Sequence, residues 1–181
     1  MKKLFYLAKK GEINEKAPIL EKLEMEIDAP MEKVWQTLAD IGEWPEWCTG
    51  ITIKKKPDKL ETGRYFFWKQ NGVKFKSRLA QVRKPHILSW TGSAWWIKAV
   101  QVWKLREIEK RKTKVTVEES VQGFLISQFM TEEQLHQGLN LWLNLLKIRV
   151  EKDNPQPVVT TGNKNSKSHD DNMLRGIHML S

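Results

Sequence analysis

The last long apolar pattern in the chain constrains everything before it. Leu135, Leu139, Trp142, Leu146 and Val150 recur at helical spacing, widened by Leu145. Thr131-Glu132-Glu133-Gln134 reads as a capping box at the start of that helix. A helix over 131–152 spans about 33 Å, long enough to cross a whole sheet. No other long helical pattern occurs between residue 51 and this point, so the stripe must find its partner among strands.

The strand signals are dense. In 20–27, Leu23, Met25 and Ile27 alternate with Glu24 and Glu26, the pattern of a half-buried strand. Asp28-Ala29-Pro30 then starts a helix with proline at its first position, and Gly42 ends it. Val34, Trp35, Leu38 and Ile41 share its apolar face. Residues 43–48 form a tight segment around Trp44, Pro45 and Trp47. Strands are expected over 51–56, 64–70, 73–82, 86–91, 96–108 and 114–123. Pro57-Asp58, Asn71-Gly72 and Lys112-Thr113 supply turns, and Asn-Gly is a strong hairpin signal. These spacings are too short for helical crossovers, so the strands meander antiparallel. The class is α+β: one antiparallel sheet with its helices on one face. Such a sheet curls, and a single helix need not fill its concave side, which leaves room for a cavity.

The flanks differ in composition. Residues 1–18 read as a basic lead-in, 19–152 as the compact part, and 153–181 as a polar tail expected to be disordered. The apolar run from Leu4 to Ala8 is cut short by Lys9 and Lys10, below the length of a secretion signal core. No run is long enough to span a bilayer, and a cytoplasmic protein is expected. The single cysteine, Cys48, excludes an internal disulfide and a thiolate-cluster metal site, and is expected in the core. The net charge of +9 rests on 24 Lys against only 7 Arg. Arginine is the residue that bidentate phosphate and base recognition favours, so a solvated lysine surface is preferred over a nucleic-acid interface. The Leu4–Ala8 run between lysine pairs leaves a minor contact with anionic lipid open.

Glu26-Ile27-Asp28-Ala29-Pro30-Met31-Glu32-Lys33-Val34-Trp35, followed by Trp44-Pro45-Glu46-Trp47, resembles the opening of the SRPBCC superfamily. These are the START-related helix-grip proteins, and the polyketide cyclase/dehydrase group is among them. Gly63 with Phe66-Phe67-Trp68, Leu88-Ser89-Trp90-Thr91-Gly92, Val102-Trp103-Lys104-Leu105 and Val117-Glu118-Glu119-Ser120 follow in the order of its strands. Trp142-Leu143 and Leu146-Lys147 fit its last helix. The resemblance covers about 17–152. It implies a curved seven-stranded antiparallel sheet around the C-terminal helix, two short helices after strand 1, and an apolar cavity. It does not fix a substrate. Relatives of this type often carry His-Val-Trp on the sixth strand. Here the triplet is Gln101-Val102-Trp103, and glutamine is neither acid nor base near neutral pH.

The nine tryptophans are the most unusual part of the composition. Trp35, Trp44 and Trp47 are expected to fill the core where the fold closes. Phe66, Trp68, Trp90, Trp103, Leu139 and Trp142 are candidates to line the cavity, while Trp95-Trp96 lies in a turn and could form a rim for a ligand or a membrane. Strand phase places Ile97, Ala99, Gln101, Trp103 and Leu105 inward, and Val100, Val102, Lys104 and Arg106 toward water. The same argument turns Ser77 and Glu119 inward. An inward carboxylate among apolar groups has a raised pKa and can give or take a proton.

The features together predict binding of a small hydrophobic or aromatic ligand, lipid or polyketide-like, between sheet and helix. Ser77, Gln101 and Glu119 would orient its polar end. The alternative is a cyclase, aromatase or dehydratase with Glu119 as the catalytic acid or base. A third reading is salt-dependent binding of anionic lipid or nucleic acid through the net charge. No cofactor is expected. His86, His136, His169 and His178 show no ligand spacing, so no metal is expected either.

Overall fold

A computed structural model describes residues 1–152. Helix α1 (Lys2–Lys10) precedes β1 (Ile19–Ile27) and α2 (Met31–Ala39). A 3-10 turn at Ile41–Glu43 leads into α3 (Trp44–Trp47). Strands β2 (Ile51–Lys55), β3 (Tyr65–Gln70), β4 (Val73–Arg83), β5 (Ile87–Ala94), β6 (Ile97–Glu109) and β7 (Lys112–Gln122) follow. The one-turn α4 (Ile126–Phe129) and the long α5 (Glu132–Lys152) close the described chain. The expected elements are present, with ends shifted by a residue or two at most sites and by three at the end of β5.

All seven strands form one sheet in the order β1-β7-β6-β5-β4-β3-β2, each neighbour antiparallel. The meander from β2 to β7 is thus intact, and β1 adds to its far edge. Register shifts in β2, β4 and β6 mark bulges, which bend the sheet and help it wrap α5. The α5 cap forms as the sequence requires. Gln134 N–H donates to Thr131 Oγ1 (3.1 Å) and Thr131 N–H donates to Gln134 Oε1 (2.9 Å).

The main core lies between the concave face, α2, α3 and α5. Trp44 is its hub. Its ring is 5.1–5.9 Å from those of Trp142, Trp90, Phe66 and Trp68, mostly edge to face. Its Nε1–H donates to Leu38 O (2.9 Å), which ties the α3 turn to the end of α2. Cys48 is buried in this core, and burial pushes its thiol up to about 12, so it is an inert packing residue.

Three expectations need correction: the start of the compact part, the exposure of the β6 valines, and the placing of all helices on one face of the sheet. The compact part does not begin at residue 19. Leu4, Ala8 and Ile13 are buried against Ala80, Val100 and Val102 in a second core on the convex face. Val100 and Val102, expected to look to water, are therefore fully buried under α1. The lysines of that helix face outward while Leu4 and Ala8, one turn apart, supply its narrow apolar stripe. Gly11 ends it in a left-handed conformation (φ 72°), with Gly11 N–H donating to Ala8 O and Glu12 N–H to Leu7 O, both 3.0 Å. Ser89 Oγ–H donates to Ala8 O (2.7 Å) and anchors the helix to β5. The expected disorder of 153–181, with His169 and His178, lies outside the described residues. Among the described residues no helix is long and apolar enough to cross a membrane.

Candidate ligand cavity

A cavity of about 320 Å³ opens between the concave face and the N-terminal half of α5. That volume is at the lower end of the range for small-molecule sites, about 300 to 1,000 Å³. Its origin can be followed residue by residue. Ser77, Gly92, Ala99 and Val121 stand in one cross-strand row over β4, β5, β6 and β7. Three of these four are small, so the row is low. Gly138 faces it from α5, and a Cβ added there would meet nothing within 4 Å. Small side chains on both walls leave the space between them.

The neighbouring row supplies the chemistry. Trp90, Gln101 and Glu119 pair in succession across β5, β6 and β7, and all three line the cavity. Trp68 and Trp142 close it toward the Trp44 cluster, with Leu139 on the helix side. Trp68 Nε1–H donates to Ser77 Oγ (3.0 Å), which fixes the indole along the wall. Glu119 is half-buried and faces the cavity. It makes no side-chain hydrogen bond among the described residues, and burial pushes its carboxyl up to about 8. At neutral pH the acid form predominates, so Glu119 presents an O–H donor beside the amide of Gln101. Its register partner on β1, Glu21, turns to α5 instead, with His136 Nδ1 3.0 Å from Glu21 Oε2.

The structure brings Trp68, Ser77, Trp90, Gln101, Glu119, Leu139 and Trp142 together around one space. Phe66 and Trp103 do not belong to it. Both are fully buried, Phe66 against Trp44 and Trp90, and Trp103 against Trp142. They point to the concave side, as strand phase requires, but lie under the closed part of the helix contact. Trp103 Nε1 has no hydrogen-bond partner there. Gly138 was missed by sequence reasoning. A glycine inside a helix costs about 1 kcal/mol relative to alanine, and that cost was the signal. Met130 was missed because it lies between helices, where no period places a side chain, whereas Ile97 lies on the face that strand phase turns inward.

Beside those two rim residues lies a patch of exposed aromatics. Trp95 is 81% exposed and stacks on Trp96 (5.6 Å), whose ring meets Phe129 edge-on (6.2 Å). Trp95 holds a left-handed backbone (φ 50°), a conformation rare for a bulky residue. Among the described residues no group of three His, Cys, Asp or Glu side chains is placed to hold a metal ion.

Residues 22–137 match the model of a family described as polyketide cyclase/dehydrase and lipid transport. No curated protein matches the sequence. Among solved structures, the hypothetical protein jhp0584 from Helicobacter pylori aligns at a TM-score of 0.63 and 16% identity, covering 75% of this chain and 90% of that one. A START superfamily protein from Mycobacterium smegmatis aligns at 0.59 and 14% identity, covering 74% and 97%. DynU16, a putative protein of the dynemicin biosynthetic locus, aligns at 0.58 and 19% identity, covering 74% of this chain and 48% of its own. At these identities the likeness speaks for the fold alone.

Proposed function

Since the chain belongs to the polyketide cyclase/dehydrase and lipid transport family, we propose that it binds a small hydrophobic or aromatic molecule between its sheet and α5. One observation carries this reading. The cavity joins a tryptophan wall to a polar edge of Ser77, Gln101 and the neutral carboxyl of Glu119. Apolar area supplies affinity there, and a few convergent polar groups fix orientation. A ligand with a flat apolar body and one carbonyl or hydroxyl end suits both parts. Glu119 would donate to the carbonyl, and Gln101 can donate or accept.

Gly138 supplies the test. Gly138→Leu places a side chain in the open space without a clash at Cβ. The neutral fluorophore 1-aminoanthracene, excited by energy transfer from the tryptophans, should bind the native protein and lose at least about tenfold in affinity to the variant. The variant should melt at the same temperature or higher, because a helix-interior glycine has been replaced. Equal binding by both proteins would refute the site.

A second reading has its own support. Glu119 is the one carboxyl group lining the cavity among the described residues, and burial raises its pKa to about 8, which poises it as a proton donor. The same cavity could then hold a cyclase or dehydratase substrate with Glu119 as general acid.

A further inference from the structure

A second cleft of about 320 Å³ lies on the opposite, convex face, between the start of α1 and strands β3, β4 and β5. We propose that it is a separate binding site for a phosphate monoester attached to an aromatic or other apolar group. The cleft is lined by Lys2 and Phe5 of α1, Tyr65 of β3, Lys76 and Arg78 of β4, and Thr91 and Ser93 of β5. Three cations and the hydroxyls of Tyr65, Thr91 and Ser93 thus face one recess, the last already donating to Lys76 O (3.3 Å), and among the described residues no carboxylate lines it. None of Lys2, Lys76 or Arg78 forms an ion pair among the described residues. The carboxylates of the loop before β3 are already paired. Asp58 and Glu61 both pair with Arg64, at 3.3 and 3.4 Å.

Arg78 is held for the task. Its Nε–H donates to Gly63 O (3.3 Å), and its guanidinium lies over the ring of Phe5 (4.1 Å) and near that of Tyr65 (5.5 Å). The fork is fixed along one edge and one face, and the terminal nitrogens remain for a ligand. A guanidinium so oriented matches two oxygens of a phosphate. Lys76 Nζ sits 4.8 Å above the Tyr65 ring on the same side. A monoester dianion offers three terminal oxygens to these donors, where a carboxylate offers two and half the charge. The rings of Phe5 and Tyr65 supply the apolar wall for what the phosphate carries. The site is independent of the concave cavity, because strand alternation puts Arg78 and Thr91 outside and Ser77 and Gly92 inside.

The test uses the full chain and phenyl phosphate, followed by amide NMR shifts. The cleft residues Tyr65, Arg78, Thr91 and Ser93 should respond, and benzoate should bind more weakly. Arg78→Gln should weaken phenyl phosphate at least about tenfold, as loss of a charge-assisted pair requires. Arg78 also contacts α1, so Lys76→Gln is the second variant, since its ammonium lies over β3 rings instead. It should weaken binding while leaving the melting temperature unchanged. Gly138→Leu should have no effect, which separates this site from the cavity. Vesicles of phosphatidylcholine with phosphatidic acid form the other arm. Capture by these vesicles that Lys76→Gln abolishes, without response to phenyl phosphate, would place the phosphate on a lipid. No response to either probe, or responses unchanged by both variants, would overturn the assignment.

Discussion

Glu119 shows how much one residue's surroundings decide. On paper it is one of two adjacent glutamates on a strand, and alternation alone separates them. Glu118 faces outward and pairs with Lys104 (2.6 Å), whereas Glu119 faces the cavity without a cation. Its carboxyl rises from an ordinary 4.5 to about 8. The sign of the consequence is fixed by linkage. Between those two values the unfolded chain has released the proton and the native chain has kept it, so stability falls as pH rises through that window and levels off above it. Glu119→Gln should therefore flatten the dependence of melting temperature on pH over the window and raise it at the alkaline end. Unchanged pH dependence would mean that Glu119 is solvated. If the enzyme reading holds, the same variant should also lose turnover of an identified substrate, with melting temperature preserved or raised.

At the scale of elements, α1 was the part the sequence concealed. Nine residues are too few for a helix to persist alone, and only Leu4 and Ala8 of its apolar face are fully buried, with Phe5 and Leu7 half-buried beside them. Its end signals were present all the same: Lys9 and Lys10 in the last turn, where cations favour the helix dipole, then Gly11. What could not be read was the partner. Val100 and Val102 alternate with Gln101 and Trp103, and both sets are apolar enough to be buried, so strand phase alone leaves the number of covered faces open. Leu4→Ala should cost about 2 to 3 kcal/mol in denaturant unfolding, as truncation of a buried leucine does. A change under about 0.5 kcal/mol, the surface range, would show α1 to be undocked. The rest of the fold was legible because it rests on periodicity and turns. Alternation in β1, the Asn71-Gly72 hairpin and the α5 stripe each carry local information that agrees with the whole. The cavity was legible only in part. Strand phase identified which side chains point inward, but not where α5 leaves the sheet. Phe66 and Trp103 therefore share a face with Trp90 and Gln101 yet fall under closed packing.

The whole molecule divides its work along α5. The C-terminal half, through Leu143, Leu146 and Val150, is sealed in the main core. The N-terminal half, through Gly138 and Leu139, borders open space. The tryptophan excess serves both halves, since Trp68, Trp90 and Trp142 are core on one side and cavity wall on the other. A rigid aromatic floor can keep a cavity open that flexible aliphatic side chains would collapse into. The most direct test is native mass spectrometry of the full chain after incubation with a lipid extract and removal of excess. The account predicts one small apolar molecule bound per chain, and its loss in Gly138→Leu. A wild-type protein at the bare chain mass under every loading condition, or equal occupancy of both proteins, would contradict it.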